Sequence, residues 1–331
     1  MKKIILGLAA AAFSAVSAYA ADLKPALVYD LGGKNDKSFN ESAYTGAERF
    51  KKETGVDYRD FEIQNDAQRE QAMRRFARDG HNPIVVIGFS QAAALEKVAA
   101  EFPDTKFGIV DMVVDKPNVR SILFTEHEGS YLVGVMAAKA SKTGKVGFVG
   151  GMDIPLIRKF ACGYVQGVKS VNPDAEVFQN MTGTTGAAWN DPIKGGELAK
   201  SQIERGADVV YHAAGGTGIG VLQAAADGGA LGIGVDSNQN GMHPGKVLTS
   251  MLKRVDNAVF NAFMDVKEDK WNAGFNVLDL KANGVGYAMD ENNASLVTDD
   301  IKNAVEDASA KIKSGDIKVH DYMSDSACPA S

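Results

Sequence analysis

The chain has 331 residues, of which 45% are hydrophobic, 24% charged and 8% aromatic, and its net charge is −6 at pH 7. This composition is typical of a folded globular protein and excludes a disordered chain, a collagen or a disulfide-framed miniprotein. The acidic charge, with dispersed Lys and Arg, excludes nucleic acid as a partner, because a polyanionic backbone requires a basic face. Since chains beyond about 250 residues divide into several cores, we expect two domains.

The first twenty residues have the pattern of a cleaved secretory leader. Two lysines precede an apolar stretch at residues 4–16, and the Ala-Tyr-Ala sequence at 18–20 fits the small-x-small cleavage site. The apolar stretch is too short for a membrane span, which takes about 20 residues. No cysteine lies near the cleavage point to carry a lipid. We therefore predict a soluble periplasmic protein without a membrane anchor.

From residue 24 onward, short apolar runs alternate with helix-like stretches, a pattern that predicts βαβ units and parallel sheets. The two halves repeat one plan, in which a strand leads into two glycines, a polar loop and a helix, and a later strand ends in an aspartate. We therefore predict two similar α/β lobes whose strand ends face a common ligand cleft. The predicted strands are residues 26–29, 58–63, 84–87, 106–110, 119–124, 145–149, 175–179, 209–213, 231–235 and 247–251.

Polar residues at the starts of four helices mark the edge of this cleft. Ser38 begins an S-x-x-E capping box and is the predicted N-cap of the first helix. Asp191, followed by proline, is a second predicted N-cap, which leaves Trp189 in the loop before its helix. Asp153 is expected to cap in the same way, and Ser90 is expected to cap the alanine-rich helix that follows it.

Two further motifs have simple structural interpretations. The glycine-rich run at 215–220 precedes an acid, Asp236, but its G-x-G-x-G spacing departs from the dinucleotide fingerprint, so a tight strand-to-helix turn is favoured. Residues 236–241 match the start of an EF-hand loop, but its twelfth position is Val247 instead of a bidentate glutamate. The five histidines lack zinc-like spacing. We expect no cofactor and no metal site.

A nucleophile elbow is the enzymatic alternative. The Gly-Phe-Ser-Gln-Ala sequence at 88–92 follows a predicted strand, and Asp236 and His320 follow it in the order of an α/β hydrolase. Against this, the last position of the motif is alanine, only two strands precede it, and His320 lies in a polar tail. We predict that the protein is not an enzyme and keep a secreted serine hydrolase using Ser90 as an alternative.

The two cysteines are far apart in the sequence. Cys162 lies in a predicted helix and Cys328 in the C-terminal tail. They are either a buried small side chain and a stray thiol, or a disulfide that ties the tail to the second lobe, since an oxidising compartment disfavours exposed free thiols.

Four segments are distinctive as a set: D-x-S-F-N at 36–40, the segment 102–111, Val-Asp at 235–236, and T-S-x-x-K at 249–253. Together they resemble the basic membrane protein family of ABC-transporter substrate-binding proteins. The likeness extends over residues 25–313. It implies a type I periplasmic binding protein fold, with two Rossmann-like lobes joined by three crossovers. An N-terminal lobe of residues 21–126 plus about 254–284 and a C-terminal lobe of 127–253 plus about 285–331 are then expected.

The resemblance also implies a ligand, a partner and a set of binding residues. Relatives bind purine nucleosides and deliver them to a cognate permease in the inner membrane, so a monomeric nucleoside receptor is expected, with another flat ligand or a sugar as alternatives. Base stacking on an aromatic ring contributes roughly 1–3 kcal/mol, and a carboxylate suits two adjacent hydroxyls. The implied residues are Phe39 and Trp189 at the base faces, Asn40, Asp111 and Asp30 near the base edge, and Gly216, Asp236 and Lys253 at the ribose.

Overall fold

A computed structural model describes residues 23–329 of the chain. The predicted leader lies outside these residues, so its cleavage stays a prediction. The strands of the described part are β1 (Ala26–Tyr29), β2 (Arg59–Glu62), β3 (Ile84–Val86), β4 (Phe107–Val110), β5 (Val119–Phe124), β6 (Lys145–Met152), β7 (Glu176–Gly183), β8 (Val209–Ala213), β9 (Leu231–Asp236), β10 (Val247–Lys253), β11 (Gly274–Leu278) and β12 (Val285–Tyr287). The α-helices are α1 (Phe39–Thr54), α2 (Ala67–Arg78), α3 (Ala92–Glu101), α4 (Glu126–Ala140), α5 (Pro155–Val171), α6 (Pro192–Glu204), α7 (Gly218–Asp227), α8 (Val255–Lys267) and α9 (Asp299–Ser314).

Two six-stranded sheets form the framework, one in each lobe. Their orders are β2-β1-β3-β4-β5-β11 and β7-β6-β8-β9-β10-β12. The first sheet is parallel throughout, whereas β12 pairs antiparallel with β10 in the second. Apart from the added edge strand, each sheet has the doubly wound order 2-1-3-4-5, so the predicted duplication and the two Rossmann-like lobes are confirmed.

The chain crosses between the sheets three times. It leaves the N-terminal sheet after β5, returns after β10 through α8, and leaves again between β11 and β12. Helix α8 packs on α1, whereas α4 packs on α5 and α9 in the other lobe. The lobe boundaries proposed from the sequence remain predictions at the level of single residues.

The central strands are apolar because they are covered on both faces. Strands β1, β3 and β4 have only buried residues, as expected for parallel strands between two layers of helices. Helix α4 is buried around most of its circumference and lies against α5. Gly167 of α5 permits this contact, since a Cβ atom there would overlap the Tyr131 backbone of α4.

Strands β11 and β12 were not predicted. In β11 the side chains of Phe275 and Val277 are 69% and 54% exposed, so the strand lacks a buried apolar face at this edge of the sheet. Strand β12 has only three residues. Both strands are defined by pairing with a distant neighbour, β5 and β10 respectively, which local sequence does not encode.

Two of the four predicted helix caps, Asp153 and Ser90, are wrong, and a third, Ser38, has the predicted N-cap position but makes no capping hydrogen bond through its side chain. Asp36, and not Ser38, accepts the backbone N–H groups of Asn40 and Glu41 at 2.9 and 3.0 Å, because the Ser38 hydroxyl is turned toward the other lobe. The carboxylate of Asp153 binds Arg158, and the hydroxyl of Ser90 donates to a carboxylate. The fourth predicted cap, Asp191, is confirmed, because its side chain accepts a hydrogen bond from the N–H of Lys194 at 2.9 Å.

Candidate functional site: a cavity between the lobes

A cavity lies between the carboxyl ends of the two sheets. Residues after β1 and β3, including Asp30 and Gly88, line it from one lobe, and residues after β8, including Ala214, line it from the other. In a doubly wound sheet the strand order reverses between the first and third strands, which is where ligands bind. The cavity thus occupies the switch points of both lobes.

Two aspartates occupy equivalent positions in the two lobes. Asp111 directly follows β4 and Asp236 ends β9, and both line the cavity. Their φ angles are +71° and +63°, a left-handed conformation that is uncommon for residues with a side chain. Such strained residues cluster at binding sites, where the surrounding structure holds them in place.

Two aromatic side chains line the cavity from opposite lobes. Phe39 is the first residue of α1, and Trp189 ends a short 3₁₀ turn before α6. The hydroxyl of Thr217 fixes this turn, since it donates to the carbonyl of Ala188 at 2.8 Å and accepts from the N–H of Asp191 at 2.7 Å. Gly151 leaves room for the indole ring, which a Cβ atom at this position would overlap.

Lys253 connects the cavity to a buried group of charges. Its ammonium lies 2.7 Å from the carboxylate of Asp111 and 2.9 Å from that of Glu126. The ring centroid of Phe39 is 5.1 Å from the same nitrogen. Lys253 is 2% exposed, so these interactions are made in a low dielectric and fix the side chain firmly.

Burial and charge shift the pKa values of this group. Burial by itself lowers the pKa of Lys253, but the surrounding carboxylates raise it well above its ordinary value. Burial raises the pKa of Asp111 to about 6, against the opposing effect of Lys253. Burial likewise raises the pKa of Asp236 to about 7, although Lys253 and the Ser38 hydroxyl oppose the shift. For Glu126, Lys253 and Lys159 outweigh the effect of burial and hold the pKa at about 2.

Asn40 and Asp30 line the cavity, but their polar atoms already have partners. The amide of Asn40 accepts from the N–H of Asp30 at 3.1 Å and donates to the carbonyls of Asp30 and Gly33. The carboxylate of Asp30 binds Arg69 at 2.6 Å and accepts from the hydroxyl of Ser90 at 2.6 Å. These two residues form part of the cavity wall. To bind a ligand directly, either side chain must first give up one of these hydrogen bonds.

The structure brings seven of the eight sequence-predicted ligand residues to the cavity wall. The exception is Gly216, which is buried behind the wall next to the lining residue Gly215 and close to the backbone carbonyl of Trp189. The residues that the sequence interpretation missed are Asp36, Glu126, Phe160 and Lys159. A signal for Glu126 was present, because an acid at the start of a helix after a strand is typical of this edge.

The geometry around Ser90 differs from that of a catalytic serine. Its hydroxyl donates to Asp30, and His320 lies in the tail of the other lobe, where it pairs with Asp325 at 2.9 Å.

Among residues 23–329, no three His, Cys, Asp or Glu side chains are placed to hold a metal ion. No helix in the described part of the chain is both long enough and apolar enough to cross a membrane.

The structure joins Cys162 of α5 to Cys328 of the tail in a disulfide. The sequence left open whether the two cysteines are free or joined, and the structure has them joined. The tail is tied to the C-terminal lobe, beside the helix that contributes Phe160 to the cavity.

Two doubly wound lobes with a polar and aromatic cavity between their strand ends are typical of ABC-transporter solute-binding proteins. Comparison with known proteins agrees. Residues 24–322 match the family model Bmp, described as ABC transporter substrate-binding protein PnrA-like. The chain belongs to this Bmp family. Its members are substrate-binding proteins and not enzymes, so the hydrolase alternative is wrong.

Individual relatives extend over most of the chain. The CD4+ T-cell-stimulating antigen of Listeria monocytogenes is 36% identical and aligns with 90% of this chain and 88% of its own. The ABC transporter nucleoside-binding protein BmpA of Lactococcus lactis is 34% identical, with coverages of 96% and 99%. A solved solute-binding protein of an ABC transporter system from Aeropyrum pernix superposes with a TM-score of 0.82 at 32% identity, over 89% of this chain and 92% of that one.

This membership sets the protein's place and partners in outline. It is an extracytoplasmic substrate-binding protein with a small-molecule ligand and a cognate permease. Some relatives, from Pyrococcus, are named lipoproteins. The periplasmic location without a lipid anchor therefore stays a prediction from residues 1–20.

Proposed function

We propose that the protein is a monomeric receptor for a purine nucleoside, which it delivers to its permease without chemical change. The observation that carries this proposal is the composition of the cavity, which combines two aromatic side chains from opposite lobes with two buried aspartates. Phe39 and Trp189 offer aromatic faces to a flat base. Asp236 offers a carboxylate to the ribose hydroxyls. The printed name of the Lactococcus lactis relative, a nucleoside-binding protein, supports the same ligand class.

A free acceptor atom suggests which purines bind best. Among the described residues, Oδ1 of Asp111 is buried without a hydrogen-bond partner, whereas Oδ2 binds Lys253. A buried carboxylate oxygen without a partner is costly, so it favours a ligand that brings an N–H donor. Guanosine and inosine carry such a donor on the ring at N1, whereas adenosine has an acceptor at N1 and carries its N–H donors on the exocyclic N6. We therefore propose that the 6-oxopurine nucleosides bind more tightly than adenosine.

A thermal-shift panel tests this function. The mature protein is stripped of bound ligand by unfolding and refolding with its disulfide oxidised, and is then heated with purine and pyrimidine nucleosides, free bases, flavins or ribose. A ligand at one hundred times its Kd adds about 2.7 kcal/mol of apparent stability. We expect shifts with guanosine and inosine, a smaller one with adenosine and none with ribose. A response to sugars or flavins and none to nucleosides contradicts the proposal while leaving the fold unaffected.

A further inference from the structure

The C-terminal tail forms a strap over α5. We use the name strap for residues 316–329, which follow the end of α9. The disulfide between Cys162 and Cys328 holds one end of the strap to α5. Near its middle, the side chain of Gln166 donates to the carbonyl of His320 at 3.0 Å and accepts from its N–H at 2.8 Å. The strap is thus tied to α5 by a covalent bond and by a two-way hydrogen-bonded contact.

Helix α5 connects the strap with the ligand cavity. Ile157 and Phe160 of this helix line the cavity, and Cys162 and Gln166 of the same helix hold the strap. Ile157 and Gln166 are nine positions apart, which is about 2.5 turns of an α-helix, so both sets belong to one short stretch of α5. A single continuous helix thus separates the strap from the cavity wall.

A continuous series of ion pairs follows the same route. Asp321 of the strap lies 3.6 Å from the ammonium of Lys159 on α5. Lys159 lies 2.9 Å from Glu126 and donates to the carbonyl of Phe124 at 2.8 Å. Glu126 lies 2.9 Å from Lys253, whose ammonium projects into the cavity wall beside Asp111. Lys159, Glu126 and Lys253 are 7%, 1% and 2% exposed, so solvent screens the interactions among these three residues little. The side chain of Asp321 is 35% exposed, so its pair with Lys159 is the most screened of the series.

We propose that Asp321 is a positioning residue for the ligand site, acting through Lys159 and Glu126 on Lys253, and that the Cys162–Cys328 disulfide holds Asp321 in place for this role. The proposal rests on the proposed function to the extent that a nucleoside is the ligand measured. The carboxylates of Asp321 and Glu126 both attract the ammonium of Lys159. Without it, Lys159 attracts Glu126 alone, and Lys253 loses part of its hold on one of its two carboxylate partners.

The affinity of strap variants for guanosine, measured by titration calorimetry, tests this inference. We expect Asp321→Asn to weaken binding about fivefold, which corresponds to about 1 kcal/mol, and Asp321→Glu to restore most of the loss. The matched control is Asp325→Asn, which removes the same charge from the same strap, where Asp325 contacts His320 and not Lys159. The control is expected to bind like the unmodified protein.

The role of the disulfide is tested with Cys162→Ala combined with Cys328→Ser. We expect this variant to weaken binding as Asp321→Asn does, and the triple variant to be no weaker than either, because residues that act in one network are not additive. A merely structural strap predicts a different result: a lower melting temperature in every variant with an unchanged Kd. That result overturns the inference, and so do fully additive losses of affinity.

A second readout separates this inference from the proposed function. The chain has two tryptophans, so Trp271→Phe leaves Trp189 in the cavity wall as the sole tryptophan. In this background and without any ligand, we expect Asp321→Asn to increase acrylamide quenching of Trp189, and Asp325→Asn to leave it unchanged. If no nucleoside binds the unmodified protein, the proposed function fails, whereas unchanged quenching in Asp321→Asn is the result that rejects the strap's role.

Discussion

At the scale of single residues, the cavity is built from groups that are costly to bury alone. Asp111 and Asp236 are held in left-handed conformations and have raised pKa values, and Lys253 is buried among carboxylates and aromatic rings. A buried charge is tolerated only when its partners are in place. The site therefore depends on side-chain contacts between strand ends that are distant in sequence.

Replacement of Trp189 by alanine is expected to reduce nucleoside affinity at least tenfold, or about 1.4 kcal/mol, because one stacking face contributes roughly that much or more. Titration calorimetry measures the loss. Trp271→Phe is the control, since Trp271 lies against Arg120 in the N-terminal lobe and outside the cavity wall. Equal affinity in Trp189→Ala and the unmodified protein shows that the ligand is not stacked there.

Affinity is expected to decrease as the pH falls from 8 to 5.5. Burial raises the pKa of Asp236 to about 7, while Lys253 and Ser38 lower it and Asp36 and Asp111 raise it, so the carboxylate gains a proton through this interval. A protonated carboxyl accepts hydroxyl donors more weakly, which weakens the contact with ribose. Calorimetric titrations at both pH values measure the effect. Asp236→Asn is expected to bind weakly with a flatter pH dependence, and an undiminished slope in this variant assigns the titration to another group.

The sequence predicted those site residues that have a recognisable local pattern and missed those that are defined by tertiary packing. Phe39, Trp189 and Asp236 were predicted because each is adjacent to a strand end or helix start with a recognisable local pattern, and because the family resemblance assigned them roles. Glu126 and Lys159 were missed, since their importance comes from packing between α4, α5 and the end of β10. The predicted roles of the ligand residues stay predictions.

At the scale of elements, the start of α1 shows how a local rule yields to a tertiary contact. Ser38 has the sequence of an N-cap, but its hydroxyl donates to Asp236 of the other lobe, and Asp36 takes over the free N–H groups of the helix. A capping box satisfies those groups within one lobe. Here the serine is released for an interaction that the sequence pattern alone does not reveal.

We expect Asp36→Ala to destabilise the protein by about 1–2 kcal/mol, the usual cost of losing a helix cap, and to lower its melting temperature in ligand-free form. Ser38→Ala is the matched comparison, because it removes the cross-lobe bond and leaves the cap intact. It is expected to affect stability less. Equal destabilisation by Ser38→Ala contradicts the assignment of the cap to Asp36.

At the scale of the whole molecule, both doubly wound lobes were predictable because alternating strands and helices repeat in the sequence. The contacts that close the lobes on each other were not. They include the Ser237 hydroxyl, which donates to the carbonyl of Ser38 at 2.9 Å, and the Gln239 amide, which donates to the carbonyl of Lys37 at 2.9 Å. These bonds join loops of opposite lobes beside the cavity, so they favour the closed arrangement.

Ser237→Ala is expected to shift the ligand-free protein toward an open arrangement and to weaken nucleoside binding by about three- to tenfold, since one hydrogen bond contributes about 0.5–1.5 kcal/mol. Small-angle scattering measures the radius of gyration, which should rise in the ligand-free variant and contract again with saturating guanosine. Ser314→Ala, in the last residue of α9, is the control. An unchanged radius of gyration and an unchanged affinity in Ser237→Ala show that this bond does not hold the lobes together.

The disulfide has a topological consequence. Its cysteines are 166 positions apart, and the enclosed segment contains α8 and β11 of the other lobe together with the second and third crossings between the sheets. The bond therefore closes a covalent ring that passes through both lobes. A protease that cuts the backbone once at either of those crossings leaves a single molecule under oxidising conditions, and two fragments separate only after reduction. Of the three crossings, the first alone lies outside the ring, so one cut there leaves two chains with no covalent link.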